Sequence, residues 1–186
     1  MAKTKRNTTA GDLVKSMALV LAPILLISWL LTNNIGDYPV EKVDWRPVLA
    51  QARAEAGWPV AAPEGLPEDG RRAWAPTRVS WAQTGGPTTN GPSPRNHWRV
   101  GFLSPDEVYY EVNQGDGEPT LFIAGVTRDG SRVGEETLEG RVWERWESAD
   151  GRTRTLLLRV DPTVIMVTAD ADFTEVQQFA RTLQEG

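Results

Sequence analysis

The chain has 186 residues, no cysteine and a formal net charge of −5 at pH 7. The missing cysteines exclude a disulfide framework, a thiolate nucleophile and a cysteine metal site. The charges are segregated, since residues 1–35 carry four basic and one acidic side chain, whereas residues 36–186 carry 16 basic and 24 acidic ones. An acidic body argues against nucleic acid as a partner, because nucleic-acid binding needs a basic face.

The first element in chain order is an apolar segment near the N-terminus. Ser16–Gly36 holds no charged residue, and Leu13–Leu31 is mostly apolar. A helix of that length extends about 29 Å, close to the thickness of the hydrocarbon core of a bilayer. A cleaved secretory signal is the alternative, but no Ala-x-Ala cleavage pattern follows. We therefore predict a retained signal-anchor that contacts the lipid bilayer through Leu13–Leu31.

The charges on either side of the apolar segment predict its orientation. Four basic residues precede it: Lys3, Lys5, Arg6 and Lys15. Acidic residues follow it, so the positive-inside rule places the N-terminus in the cytoplasm and the acidic body outside. We predict a single-pass plasma-membrane protein. Its parts are a basic N-terminus (1–12), an anchor (13–35), a tether (36–43) and an extracytoplasmic domain (44–186).

The first part of the body reads as one helix, an extended segment and a strand. Asp44 is placed to cap a helix over Trp45–Ala56. Trp58–Pro76 contains four prolines and is expected to be extended and irregular. Thr77–Thr84 alternates apolar and polar residues and predicts a strand. The Gly- and Pro-rich stretch Gly85–Asn96 is expected to be a long loop, either mobile or a binding loop, and we choose the mobile loop.

The second part of the body is rich in strands. Five are predicted, over His97–Ser104, Glu107–Asn113, Gly140–Ser148, Arg152–Val160 and Thr163–Ala169. Residues 118–127 are ambiguous between helix and strand, and we choose helix because a proline follows a glycine turn. Asp172 and Glu175 form a capping-box pattern that starts a final helix. Its apolar stripe comprises Phe173, Val176, Phe179, Ala180 and Leu183.

Two uninterrupted apolar runs constrain the architecture. Neighbouring residues of a strand point to opposite faces, so Leu156–Leu158 and Val164–Val167 need cover on both sides. We therefore predict an α+β fold with an N-terminal transmembrane helix and an antiparallel β-sheet covered by helices on both faces. This arrangement is an α/β/α sandwich.

Candidate catalytic groups have ordinary structural roles. His97 is the single histidine, and no Gly-x-Ser-x-Gly elbow accompanies it. Asp170 and Asp172 could bind a cation or act as an acid–base pair, but Asp172 already serves as a helix cap. Residues 135, 136 and 139 are glutamates that precede a predicted strand and are expected to be solvated. The expectation is a protein that is not an enzyme and has no cofactor, with an acid-residue hydrolase as the weakest alternative.

The aromatic residues indicate core packing and, secondarily, binding. The chain has eight tryptophans, and Trp143 and Trp146 should face opposite sides of a regular strand. Tyr109 and Tyr110 should do the same. An exposed Trp beside Arg145 or Arg141 would suit a binding hot spot. The possible binding surface therefore comprises Trp143, Trp146, Tyr109, Tyr110 and Arg145.

The order of these features resembles a known family. The features are a short basic N-terminus, one membrane helix, the stretch "VDWRPVLAQARAEAGWPVAAPEGLPEDGRRAWAPTRVSW", the element "GFLSP", the strand "RVWERW" and the helix "FTEVQQFARTL". In this order they resemble the actinobacterial single-pass membrane proteins catalogued as domain of unknown function 4245. That resemblance implies no reaction and no catalytic residues. The expected shape is similar to the sandwich of Mog1 and PsbP proteins, which act by binding other proteins.

The functional expectation is a membrane-anchored, extracytoplasmic binding or scaffolding domain that docks a cell-envelope protein. The alternative is a domain that binds a small envelope ligand, such as a lipid or a glycan fragment. An exposed patch with Trp or Tyr favours a protein partner. A pocket of about 300 Å³ or more favours a ligand.

Overall fold

The computed structural model describes residues 10–33 and 41–186, which fall into two units divided after Val40. The first unit contains helix α1 (Ala10–Asn33). In the part of the chain that the structure describes, no helix combines the length and apolar character needed to cross a bilayer. The transmembrane part of the predicted fold is therefore not supported. Lys3, Lys5, Arg6 and most of the predicted tether lie outside the described residues.

The second unit, Glu41–Gly186, contains three helices and eleven strands. The helices are α2 (Arg46–Glu55), α3 (Thr120–Thr127) and α4 (Phe173–Ala180). The strands are β1 (Ala61–Pro63), β2 (Ala75–Ala82), β3 (Pro87–Thr88), β4 (Gly91–Pro92), β5 (His97–Leu103), β6 (Tyr109–Asp116), β7 (Ser131–Leu138), β8 (Arg141–Glu147), β9 (Arg154–Val160), β10 (Thr163–Ala169) and β11 (Leu183–Glu185). The prediction of an α+β fold with an antiparallel sheet is confirmed.

Seven strands form one antiparallel sheet in the order β2-β5-β6-β10-β9-β8-β7. Helix α3 follows β6, and the chain then begins a meander at the far edge of the sheet with β7. That meander returns to the centre, where β10 pairs with β6 and Val167 lies opposite Val112. The closing pair joins strands that are about fifty residues apart in sequence, so tertiary packing and not local propensity sets it.

Both faces of the sheet are covered by helices, as the apolar runs predict. Leu156 and Leu158 pack in the main core with residues of α2 and α4. Leu157, which lies between them, packs in a separate cluster with Phe122 and Ile123 of α3. Alternate residues of β9 thus fill two different cores, because successive side chains leave a strand on opposite faces.

The capping box of α4 is confirmed, but the helix is shorter than predicted. Asp172 Oδ1 accepts from the Glu175 N–H at 2.9 Å, and Glu175 Oε2 accepts from the Asp172 N–H at 3.1 Å. The helix ends at Ala180. Leu183 is therefore in strand β11, where it lies opposite Pro63. The pairing with β1 satisfies backbone groups that another helical turn would have satisfied, so the final position of the predicted stripe was wrong.

The ambiguous segment at residues 118–127 is helical, as predicted. Helix α3 follows Pro119, which occupies the N-cap position, and the Ile123 N–H donates to the Pro119 carbonyl at 2.8 Å. At α2 the cap position is held by Trp45, while Asp44 Oδ1 accepts from the Arg46 N–H at 3.2 Å. Asp44 therefore accepts a hydrogen bond from the first turn of the helix, but it lies one residue before the N-cap position that was predicted for it.

Sequence reasoning missed five strands, namely β1, which lies in the segment expected to be irregular, and β3, β4, β7 and β11. Strand β7 contains Glu135 and Glu136, which the sequence places before a strand as solvated residues. This strand lies at the edge of the sheet, and its charged residues interrupt its apolar ones. The alternation of apolar and polar residues that is typical of a strand is therefore not visible. Glu136 instead faces α4, where Gln177 donates to it, and burial raises the pKa of its carboxyl. The predicted loop Gly85–Asn96 includes the short pair β3 and β4.

Candidate functional site

A cleft of about 610 Å³ lies between α3 and the sheet. Its origin is geometric, because α3 has eight residues and is only about 12 Å long and about 10–12 Å across. A seven-stranded sheet is about 29 Å wide at the usual strand spacing. The short helix packs mainly against β10 and β9, through Met166 and Leu157. The part of this face formed by β2, β5 and β6 is left as the floor of the cleft.

The alternation of β5 and β6 gives that floor its polar character. In β5, Trp98, Val100 and Phe102 are buried in the main core. On the opposite face of the same strand, His97 and Arg99 line the cleft. Strand β6 has the same pattern, with Tyr110 and Val112 in the core and Tyr109, Glu111 and Asn113 lining the cleft.

Glu111 is the centre of a polar network on the floor. Its side chain is only 12% exposed, and Arg99 Nε lies 3.0 Å from its Oε1. That contact is an ion pair without hydrogen-bonding geometry, because Arg99 Nε has no hydrogen-bond partner. Asn113 Nδ2 donates to Oε1 at 2.8 Å, and the Tyr109 hydroxyl donates to Oε2 at 2.7 Å. Both oxygens of the carboxylate are therefore engaged by protein groups.

His97 extends the network toward α3. Its Nε2 lies 3.0 Å from Asn113 Oδ1, and its ring meets the Phe122 ring edge-on at 4.9 Å between centroids. Burial lowers the pKa of the imidazole, and the hydrogen bond to Asn113 only partly opposes this effect. Because its pKa is lowered, the ring is neutral at pH 7, so His97 holds Asn113 in place without adding a charge.

Tyr109 lies over a glycine of the neighbouring strand. A Cβ atom at Gly101 would overlap the hydroxyl and ring of Tyr109, so the absence of a side chain makes room for the phenol. The pKa of Tyr109 is raised, first by burial and then by the adjacent Glu111 carboxylate. The hydroxyl therefore stays protonated and acts as a donor at neutral pH.

The other end of the cleft is closed by a second charged cluster. Asp170 lies 3.5 Å from Arg128 and 3.9 Å from Arg152, and the Thr153 hydroxyl donates to it. Asp172 is engaged in the cap of α4. The two aspartates thus have separate structural partners, which disfavours the alternative in which they act as an acid–base pair.

The apolar wall of the cleft comes from α3. Leu121, Phe122 and Val126 line it. Phe122 is buried, whereas Leu121 at the rim is 77% exposed. Tyr109, on the floor opposite, is 36% exposed. An apolar wall therefore faces a polar floor across an open cleft.

A second groove of about 560 Å³ lies between α2 and the segment that precedes β2. Aromatic rings form its base, namely Trp45, Trp74 and Phe102. Its rim carries Arg46 and Glu68, which form an ion pair. In contrast to the α3 cleft, this groove has no polar network on its floor among its lining residues.

The predicted binding residues are divided between the two faces of the sheet. Trp143 and Tyr110 are buried in the main core, and the Arg145 guanidinium lies 3.9 Å from the centre of the Phe173 ring. Trp146 packs against the α3 cluster, and Tyr109 lines the cleft. The opposite orientation of each aromatic pair is as predicted, but the five residues do not form one surface.

Sequence reasoning missed most of the residues that line the cleft. These include Arg78, Arg99, Glu111, Asn113 and Leu121. A usable signal was present in "HWRVGFL", where Trp, Val and Phe alternate with His, Arg and Gly. That pattern indicates one polar face on a strand of a sheet otherwise covered on both sides.

The family of the chain follows from comparison with known proteins. No curated protein matches this sequence. A family model described as "Protein of unknown function (DUF4245)" matches residues 5–183. This range includes every element that lines the cleft, from β2 to β10. The chain therefore belongs to the DUF4245 family, as the order of its sequence features indicates.

Proposed function

We propose that this protein is a non-catalytic binding domain whose α3 cleft holds a small amphipathic ligand of the cell envelope. The observation that carries the proposal is the cleft itself, which opposes an apolar wall to a fixed polar floor in a volume of about 610 Å³. Ligand sites usually have volumes of about 300–1,000 Å³ and combine apolar walls with a few placed polar groups.

The state of the polar groups favours binding over catalysis. A general acid or base needs a free proton-transfer position near its substrate. Glu111 is engaged on both oxygens, and His97 Nε2 is engaged by Asn113. Groups held in this way can orient a ligand, but they have little freedom to exchange protons with one.

We also propose that helix α1 holds the domain at the outer face of the plasma membrane. This part rests on the uncharged apolar run and its flanking charges, since no described helix meets the requirements for a span. One further observation supports it. Four consecutive side chains of α1 are exposed, those of Ile24, Leu25, Leu26 and Ile27. Four successive residues point around a whole helical turn, so this turn of α1 is apolar on every side.

Docking of an envelope protein is the second candidate. The exposed Leu121 and Tyr109 favour it, because apolar and aromatic residues at an open cleft are typical of protein interfaces. The expected similarity to Mog1 and PsbP proteins adds only a fold analogy. The cleft favours a small ligand more strongly, because its floor is recessed and polar.

A cleft-filling variant tests the proposal. A Cβ atom at Gly125 of α3 meets nothing within 4 Å, and the residue lines the cleft. Gly125→Leu should fill the cleft while favouring the helix. Gly134→Leu is the matched control, since its Cβ atom is equally unobstructed and it lies on β7, outside the cleft.

The measurement is mass spectrometry of small molecules extracted from the full chain after purification from membranes. We expect one class of amphipathic molecule to accompany the wild-type and Gly134→Leu chains and to be lost from Gly125→Leu. If a protein is lost in the same pattern instead, docking is the function of the cleft. If Gly125→Leu changes nothing, the cleft is not the binding site.

A further inference from the structure

We propose that the cleft selects an anion, with the carboxylate or phosphate head of the ligand between Arg78 and Arg99 and its apolar body against α3. This inference rests on the proposed function, because it names the chemical class of the ligand that the same cleft holds.

The two arginines leave the same face of the sheet at one end of the cleft. Arg78 lies directly opposite Gly101 of β5, two residues beyond Arg99, so Arg78 and Arg99 are diagonal neighbours on adjacent strands. Diagonal neighbours are about 7–8 Å apart, which long side chains can bridge. Two guanidinium groups at this separation can hold one carboxylate or phosphate between them.

Both arginines have guanidinium N–H groups that remain available to a ligand. Arg78 is exposed and forms no ion pair with any residue in the described ranges 10–33 and 41–186. The contact between Arg99 and Glu111 is made by Nε at 3.0 Å, and the terminal nitrogens of this guanidinium donate no hydrogen bond to any residue in the described part of the chain. Its side chain is 32% exposed and can be reached from the cleft.

The acidic residues of the cleft are mostly compensated internally. Three carboxylates line it, those of Glu107, Glu111 and Asp170. Glu111 is paired with Arg99, and Asp170 is paired with both Arg128 and Arg152. Three arginines line the same cleft, although acidic residues outnumber basic ones by 24 to 16 over residues 36–186. The lining of the cleft is thus formally neutral, whereas the domain around it is acidic.

The apolar part of the ligand follows from the opposite wall. Leu121 and Val126 project from α3 into the same cleft, and covering the exposed Leu121 removes apolar surface from water. A purely polar anion would leave the apolar side chains of this wall exposed to water. The geometry therefore fits a short acyl or aryl acid, or the phosphate ester of an apolar alcohol.

The single histidine provides a site-specific probe of the cleft. The full chain, labelled with ¹⁵N-histidine and kept in a nonionic amphipol, gives NMR signals from His97 alone, because the chain has one histidine. The probes are hexanoate, hexyl phosphate, hexanol and hexylammonium, which share a chain and differ in head-group charge. We expect hexanoate or hexyl phosphate to shift the His97 signals saturably. Which of the two binds better distinguishes a carboxylate ligand from a phosphate ligand.

An arginine variant and its control connect the anion preference to the proposed position. Arg78→Gln should weaken binding of the anion about three- to tenfold, the range expected for a partly solvated charged contact. Arg72→Gln removes another exposed arginine, outside the cleft, and should leave the affinity unchanged. Raising the salt concentration should weaken anion binding and leave any binding of hexanol unaffected.

The outcomes separate the two proposals. If hexanol binds as well as the anions, or if Arg78→Gln has no more effect than Arg72→Gln, the anion inference is wrong while a binding cleft remains. If none of the four probes shifts the His97 signals, the anion inference fails, and the ligand-binding function fails with it unless the mass spectrometry identifies a ligand. A preference for hexylammonium would reverse the sign of the inference and overturn it.

Discussion

At the scale of single residues, the polar floor of the cleft depends on a glycine. Gly101 does not have a positive φ, so the requirement for glycine at this position is one of space and not of backbone conformation. The phenol of Tyr109 occupies the position above it and donates to Glu111 at 2.7 Å. A glycine in a strand often marks such a close approach. The orientation of the Glu111 carboxylate therefore depends on a residue that contributes no side chain.

The first prediction concerns this glycine. Gly101→Ala should displace Tyr109, because the added methyl group overlaps its ring, and should destabilise the protein by about 1–3 kcal/mol. Urea unfolding of the full chain measures the change. Gly134→Ala, at an open position on a strand, should change stability by less than about 0.5 kcal/mol. Equal stabilities of the two variants would mean that Tyr109 does not lie over Gly101.

At the scale of elements, the best-specified helix is α4. Its capping box was readable from Asp172 and Glu175, because the two reciprocal hydrogen bonds depend only on local spacing. The end of the helix was not readable in the same way. Leu183 continues the helical apolar pattern, yet it pairs with Pro63 of β1, which lies far earlier in the chain. Local patterns thus predicted where the element starts, and a distant partner decided where it stops.

The second prediction concerns the capping box. Asp172→Ala should reduce the free energy of unfolding by about 1 kcal/mol, because the Glu175 N–H loses its acceptor at the start of α4. Asp172→Asn is the conservative control and should retain most of the stability, since asparagine caps about as well as aspartate. Chemical denaturation measures both variants. A loss of similar size in Asp172→Asn would instead attribute the effect to the charge at the helix N-terminus.

The elements of the sheet show the same division between local and distant causes. Strands β9 and β10 were predicted because short, uninterrupted apolar runs between turn residues are typical of strands buried on both faces. Strand β7 was missed because an edge strand exposes one face and an open edge to water, and its sequence "SRVGEETL" is correspondingly polar. The site residues were missed for a related reason. Arg78 and Glu111 have no special local pattern, and only the sheet brings them into one cleft.

At the scale of the whole molecule, the main feature is the contrast between a basic, apolar N-terminal region and an acidic folded body. The charges change from net basic over residues 1–35 to net acidic over residues 36–186. Such an asymmetry around an apolar segment favours one orientation in a membrane. The proposed binding function would then act outside the cytoplasm, close to the lipid surface.

The third prediction tests this orientation. Protease added to intact spheroplasts should degrade residues 41–186 and spare an epitope tag placed at the N-terminus, because only the body lies outside. The same treatment after lysis is the control and should remove the tag as well. A body that survives until lysis would contradict the proposed orientation. A mature protein that begins after Asn34, identified by N-terminal sequencing, would show that the apolar segment is cleaved.

The sequence by itself determined the class of the fold and the two-sided burial of its central strands. Side chains alternate along a strand, so the uninterrupted runs at Leu156–Leu158 and Val164–Val167 require two cores wherever the strands pair. Only the tertiary structure decided that β6 pairs with β10 and that α3 is too short to cover β2 and β5. Strand pairing joins residues that are far apart in the chain, so it cannot be predicted from the periodicity of any one segment. The cleft, which depends on that pairing, is therefore a property of the fold and not of any single segment.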